Sequence, residues 1–219
     1  IKTTMRCLVV FGLLLAAVVC AEEYGIRTTL RTRRPSSFGT KKWIVHEEET
    51  VLPIKHTAIV IVDMWDKHWC LTATQRVEAL AEWVNETVTV ARKHGIPIIH
   101  APSDCQDYYN ETHARKRVVD LPDRKLPTDR NHTNPPQPIN ASDGGCDWPS
   151  KQGSPWTHET PLIYIDQQRD YILSDNAIEA YKLYHHLNTK YILFLGVHLN
   201  MCILGRSFAI EQVRSCHPL

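Results

Sequence analysis

The stretch YILFLGVHLNMCILGRSFAIEQV, Tyr191 to Val213, constrains the fold of this chain more than any other. Tyr191 to Val197 is a nearly unbroken apolar run, the pattern of a strand buried on both faces of a sheet. Gly196 and the short His198-Leu199-Asn200-Met201 segment then turn the chain. From Cys202 the spacing changes: Ile203, Phe208, Ile210 and Val213 alternate with Arg206, Glu211 and Gln212, which predicts a helix with cysteine at its start. A first helical turn has free N–H groups and a partial positive charge, which favour a thiolate and suit an oxyanion. The plainer reading is a cysteine that packs, since cysteine is among the most buried residue types. This stretch alone leaves both readings open.

Thr57 to Asp63, TAIVIVD, is the second buried-strand signal. Asp63 stands at its carboxyl end, where open parallel α/β sheets bind ligands, and an acid there is placed for general base work. The alternative is a loop acid that caps a nearby N–H. Met64 to Cys70 is a polar-aromatic loop, in which Trp65 and Trp69 either wall a small-molecule pocket or pack. Asp66 and His68 are candidate metal ligands, but two do not make a site. Thr72 to His94 reads as a helix with a Thr72/Gln75 capping box and a stripe of Val77, Leu80, Ala81, Val84, Val88 and Ala91, stopped by Gly95. Ile96 to His100 follows as a strand, so strand, helix and strand form a right-handed parallel crossover.

Residues 101–161 have no sustained period, and only Thr112 to Asp120 looks helical. A connection of this kind is a lid, a binding loop or a disordered insert. Asp143-Gly144-Gly145-Cys146-Asp147 predicts a surface turn held by a Cys146 disulfide. His100, Asp104 and His113 are further metal candidates, each more simply a strand-end or loop polar group. Asp170 to Ser174 predicts a short third strand, and Ser174-Asp175-Asn176 an N-cap for the helix that follows.

The front of the chain reads as a secretory signal over residues 1–21. Met5-Arg6 precedes an apolar run from Leu8 to Cys20, with Val19 and Ala21 as the small residues of a cleavage site. That run is shorter than the roughly 18 apolar residues a span needs, so no membrane association is expected of the mature form. The expected location is secreted or luminal. The sequons at Asn85, Asn110, Asn131 and Asn140 agree, as glycosylation sites. Of the seven cysteines, five follow Ala21: Cys70, Cys105, Cys146, Cys202 and Cys216. An oxidising compartment pairs an even subset, and one consistent picture bridges the other four and leaves Cys202 free. Residues 22–50 read as an irregular basic arm, ahead of one α/β domain over 51–219. The net charge of +1 points away from nucleic acid.

The ordered pieces resemble the isochorismatase-like hydrolase superfamily, the cysteine hydrolases that include nicotinamidases and N-carbamoyl amidases, over roughly Thr57 to Val213. Two motifs carry the resemblance: a buried strand ending in aspartate, TAIVIVDMWD with Asp63, and strand, Gly-Val, turn and cysteine, LGVHLNMC with Cys202. It implies a three-layer α/β/α fold with a doubly wound, mostly parallel sheet, and a site of aspartate, lysine and cysteine. Asp63 takes the role of the base and Cys202 that of the nucleophile. The resemblance also implies a cis peptide at Val197–His198, which forms the oxyanion site with the Cys202 amide. The sequence departs from the pattern where the lysine is expected, with Ser174 and Asp175 in its place. Either another cation, Lys67, Arg206 or a histidine, substitutes, or the chemistry is altered or lost. The family sheet also continues for two strands after the cysteine helix, so a fragment or an alternative terminus is expected.

The leading expectation is thus a hydrolase that attacks a small amide or related carbonyl compound through Cys202. The alternative is a binding protein on the same frame with impaired catalysis. A third reading is an unrelated doubly wound fold with a buried Cys202 and a capping Asp63. No metal or cofactor is carried over, and the expected partners are a small-molecule substrate and other copies of the chain.

Overall fold

The computed structural model describes residues 24–36, 42–125, 146–147 and 153–216, the side chains at 214–216 excepted. The expected signal segment, the sequons at Asn131 and Asn140, the Asp143–Gly145 part of the turn and the Cys216 side chain lie outside this description. The chain divides into two compact units between His56 and Thr57.

The first unit corrects the irregular arm expected at 22–50 and moves the domain boundary from 51 to 57. It is an antiparallel pair, β1 (Gly25–Pro35) with β2 (Trp43–Pro53), in register from Gly25 opposite Pro53 to Pro35 opposite Trp43. The arginines of β1 read as a solvated basic run in isolation, but Arg31 lies across from Glu47 of β2. Arg31 Nε donates to Glu47 at 2.8 Å, and the Thr29 hydroxyl donates to Glu49 at 3.0 Å. Cross-strand pairs of this kind stabilise a ladder by about 0.2–1 kcal/mol each.

The second unit is an α/β fold. Its sheet has four parallel strands, β3 (Thr57–Val62), β4 (Ile98–Ala101), β5 (Tyr171–Ile172) and β6 (Tyr191–Gly196), in the order β5-β4-β3-β6. Every residue of β3 is buried. Ala58, Val60 and Val62 share a core cluster with Ile99, Ala180, Leu183, Tyr184, Cys202 and Phe208. Ile59 and Ile61 point to the opposite face by the two-residue period of a strand. Helix α1 (Leu71–Lys93) packs against β4 and β6, with Val77, Ala81, Val84, Val88 and Ala91 buried. No described helix is long and apolar enough to cross a membrane.

Four local expectations are corrected. Leu80 is exposed rather than on the buried stripe of α1. The capping box does not form: α1 starts after Cys70 without a side-chain cap, and the Thr72 hydroxyl donates to Asp147 instead. β6 is half-buried, because it pairs with β3 along one edge and no described strand pairs with the other. The helix expected from Cys202 onward is broken into α5 (Cys202–Gly205) and α6 (Ile210–Cys216), with α2 (Gln106–Tyr109), α3 (His113–Val119) and α4 (Ala177–His186) earlier in the chain. Arg206 ends α5 with an extended backbone, ψ 155°.

The 101–161 insert holds α2 and α3, and Thr112 caps α3 by accepting from Arg115 N. Its return meets the loop after β3 through an antiparallel bridge of Trp65 with Glu159. Glu159 is part of a buried charge network. His100 Nδ1 meets Glu159 at 2.9 Å, His100 Nε2 meets Asp170 at 3.2 Å, and Arg92 grips Asp170 through Nε and Nη2 at 2.9 and 2.7 Å. The metal role weighed for His100 is therefore replaced by this network, as both ring nitrogens face carboxylates.

Gly196 is the tightest point of the sheet. Its φ is +120°, and a Cβ there would lie 2.1 Å from the Val62 carbonyl oxygen. Both facts demand glycine. Gly196→Ala is expected to separate β6 from β3 and remove the cooperative thermal transition, as read by circular dichroism. A variant that melts within a few degrees of the parent would contradict this account.

Candidate active site

The strand order reverses between β3 and β6: from β3 the next two strands run outward on one side, and the chain then crosses to place β6 on the other. Crevices for ligands open at such a switch point, beyond the carboxyl ends of the strands. β3 delivers Asp63 there, and β6 delivers Val197, His198 and Cys202. The ladder continues to the rim, since Val197 N donates to Val62 O at 3.1 Å and Asp63 N to Ala101 O at 3.2 Å. The Val197–His198 peptide is cis, at the bond the resemblance singled out.

Asp63 is fully buried, with a left-handed backbone at φ +51°. Ser103 N donates to its Oδ1 at 2.9 Å, and Arg206 Nε donates to its Oδ2 at 3.2 Å. The Cys202 thiol lies near enough to the same carboxylate for each to shift the other's titration. Burial raises the Asp63 pKa, and Arg206, Cys202 and Ser103 offset part of that rise. The Cys202 thiol is pushed up to about 11, first by burial and then by the charge of Asp63, against the His198 amide and Arg206. A stabilised thiolate at a helix start is thus corrected. α5 is a single four-residue turn, and the neighbouring carboxylate outweighs it. The resting cysteine is therefore a protonated thiol beside Asp63.

Of the cations considered in place of the family lysine, Arg206 is the one on Asp63. Its side chain is 28 % exposed, and its Nη2 lies 3.6 Å from Asp104. Asp175 does not touch Asp63. Its Oδ2 accepts from Asp104 N at 2.9 Å and from Gln106 Nε2 at 2.6 Å, which ties the start of α4 to the loop after β4.

An aromatic shelf stands beside this cluster. Trp65 stacks on Trp156 with ring centroids 4.1 Å apart, and His68 stacks on both. His68 also meets Trp69 at 5.0 Å and the edge of His198 at 6.0 Å. Trp65 is buried, and its indole N–H donates to Ser103 O at 3.0 Å, so Ser103 joins the shelf to Asp63. His68 Nδ1 accepts from Cys70 N, which fixes the ring. Gly153 N donates to Trp69 O, and a Cβ at Gly153 would lie 1.8 Å from the His68 carbonyl. The return loop therefore lies directly on the shelf. Asp66 accepts from the amides of Thr157 and His158, which outweigh its burial and hold its pKa low.

Cys70 and Cys146 form a disulfide, and Asp147 beside it accepts from Thr72 and Arg76. Cys105 is free and buried, which corrects the picture that bridged it; burial and the acids around it push it up to about 12. Among the described residues, the three potential metal ligands that lie together are Cys70, Cys146 and Asp147, with both sulfurs spent on each other. His113 opens α3 in an exposed position, apart from any such group. Of the sequons, Asn85 is half-buried on α1 with Oδ1 accepting from Tyr164 N, and Asn110 is exposed at the end of α2.

Sequence reasoning missed Ser103 and Trp156. Ser103 acts through its backbone, which leaves no side-chain signal. Trp156 lies in an aperiodic stretch, and contacts far along the chain, from Gly153 to Trp69 and from Trp65 to Glu159, bring it back. Comparisons with protein-family models, with curated proteins and with solved structures return no match for this chain.

Proposed function

We propose that this protein is a cysteine hydrolase of the isochorismatase-like kind, acting on a small amide or related carbonyl compound. The single observation that carries the reading is the buried Asp63 carboxylate, which lies beside the Cys202 thiol at the sheet's switch point and accepts from the Arg206 guanidinium.

In this mechanism Asp63 takes the thiol proton as sulfur attacks the carbonyl carbon. The C–S bond forms and the carbonyl π pair moves onto oxygen. The Cys202 N–H opens α5, where no intrahelical carbonyl receives it, and it faces this oxyanion with the turn after Val197. Collapse restores the carbonyl and breaks the C–N bond, and the leaving amine takes the proton from Asp63. Water then attacks the thioester as Asp63 receives its proton, and that proton returns to sulfur as the acid leaves. The shelf of Trp65, His68 and Trp156 excludes water and offers a planar face to the substrate. The secretory reading of the front of the chain fits the Cys70–Cys146 disulfide, since such bonds persist in oxidising compartments.

A second reading, binding without turnover, is favoured by the high thiol pKa and by Asp175 where the family carries lysine. Incubation with a panel of small primary amides separates the two. Ammonia release, together with an acid-stable acyl adduct on Cys202 by intact mass, is expected of the hydrolase, and both vanish in Cys202→Ser. Saturable binding with no adduct on any amide would replace hydrolysis with the second reading.

A further inference from the structure

We infer that Arg206 is the positioning residue of this site: it supplies, from the chain just beyond the nucleophile, the positive charge that Ser174 and Asp175 do not. The inference rests on the reading of Asp63 as base and Cys202 as nucleophile. Three observations carry it.

The first is placement. Arg206 follows the single turn that Cys202 opens, and Arg206 N donates to Cys202 O at 3.2 Å. Nucleophile and cation are thus spaced by one closed turn of backbone. A break in the helix at Arg206 turns the guanidinium toward the sheet rather than along a helix face. The extended ψ there and the Ala209 N to Arg206 O bond at 2.9 Å fix that break.

The second is geometry at the acid. Asp63 has one oxygen on Ser103 N and the other on Arg206 Nε, so the carboxylate plane is set by two donors from different segments. A carboxylate held in that way keeps an acceptor direction open toward sulfur. Burial works against the ionised form of Asp63, and among the opposing contributions that of Arg206 comes first.

The third is charge balance. The groups that act on the thiol are Asp63 from β3, the His198 amide of the cis turn and Arg206, and Arg206 in turn feels Asp63, Asp104 after β4 and Asp175 before α4. His68 and His198 are held toward their neutral forms, first by burial. Arg206 is therefore the cation that answers three carboxylates. Arginine suits this better than lysine would, because its fork reaches Asp63 with Nε and Asp104 with Nη2 at once.

The test is the rate of Cys202 alkylation by iodoacetamide against pH on the full chain, read by peptide mass so that Cys105 is scored apart. Arg206→Gln is expected to raise the apparent thiol pKa by about one unit or more, which slows modification at pH 8 about tenfold. Arg206→Lys restores part of the rate, because it returns the charge without the fork. Methylguanidinium in the buffer accelerates Arg206→Gln and leaves the parent unchanged. An Arg206→Gln pKa and rate equal to the parent's would overturn the inference, as would Arg206→Lys behaving like Arg206→Gln.

A second measurement needs no Arg206 variant. The Arg206 Nε–H NMR signal should shift with the ionisation of Asp63 and lose that step in Asp63→Asn; a signal indifferent to Asp63 also overturns the inference. Alkylation requires no substrate, so the two proposals fail separately. Absent amide turnover with an intact Arg206 effect removes the hydrolase reading. Turnover that depends on Cys202 but ignores Arg206 removes this one.

Discussion

Asp63→Asn is expected to lower amide turnover by about 10²–10⁴-fold while making Cys202 easier to alkylate. The two effects run in opposite directions for one reason. In the proposed mechanism the carboxylate is the general base, so its loss removes the acceptor for the thiol proton. The same carboxylate is also the second cause, after burial, of a thiol pKa near 11. Asparagine keeps an oxygen for Ser103 N but carries no charge, so the thiolate then faces Arg206 without the opposing charge of Asp63. At pH 8 the thiolate fraction rises roughly tenfold for each unit the pKa falls. Intact-mass kinetics with iodoacetamide and an ammonia assay on the same preparation check both halves. Parallel loss of alkylation and turnover would show that Asp63 supports a preformed thiolate, and the general-base account would fall.

Asp170→Ala carries the largest expected cost in stability. The residue is 1 % exposed and holds Arg92 through two bonds while it faces the His100 ring. Its removal leaves a guanidinium and an imidazolium buried beside Glu159 alone. Breaking a buried pair in this way costs about 3–5 kcal/mol, against a total of about 5–15 kcal/mol for a domain. A fall in the urea midpoint of that size is expected. Pairing Arg92→Met with Asp170→Leu should recover much of it, because no charge is then stranded.

The same network sets a pH window. Burial alone would lower the His100 pKa, but Glu159 and Asp170 outweigh it and lift it to about 9. Unfolded histidine titrates near 6.5, so this stabilisation is complete below about 6.5, declines as pH rises, and is gone above about 9. The Asp170 pKa is lowered, because His100 and Arg92 outweigh burial, so its contribution is present above the usual carboxylate range and lost in acid. Urea midpoints from pH 4 to pH 10 should trace that window, and a flat profile from 6.5 to 9.5 would contradict it.

β3 and α1 were legible because burial on both sides leaves an uninterrupted apolar run, and burial on one side leaves a stripe. β6 was legible as a strand but not as a margin, since an apolar run records hydrophobicity and not the number of neighbours. Asp63 and Cys202 could be read because each stands at a strand end followed by a turn. Arg206 could be named among other cations but not chosen, because the helix break that aims it has no signature in the spacing of Ile203, Phe208 and Ile210. The β1–β2 pair was missed for a related reason: its stabilising contacts join Arg31 to Glu47 and Thr29 to Glu49, and a window along the chain sees only a basic run and then an acidic one. His100 read most simply as a strand-end polar group, and its partners Glu159 and Asp170 lie too far along the sequence to be foreseen.

The left-handed backbone at Asp63 makes the loss of chemistry on this scaffold easy and its recovery narrow. Glycine, asparagine and aspartate are the residues that accept such a φ at low cost. Drift to asparagine or glycine removes the proposed base and leaves the turn after β3 intact, so the frame persists without the proposed reaction. Glutamate would keep an acid but lose the backbone, and a β-branched residue would lose both. Aspartate is where the two demands overlap. A lineage that has wandered from it can return from asparagine or glycine by a single side-chain exchange, while a residue that rejects this φ requires the turn itself to be rebuilt.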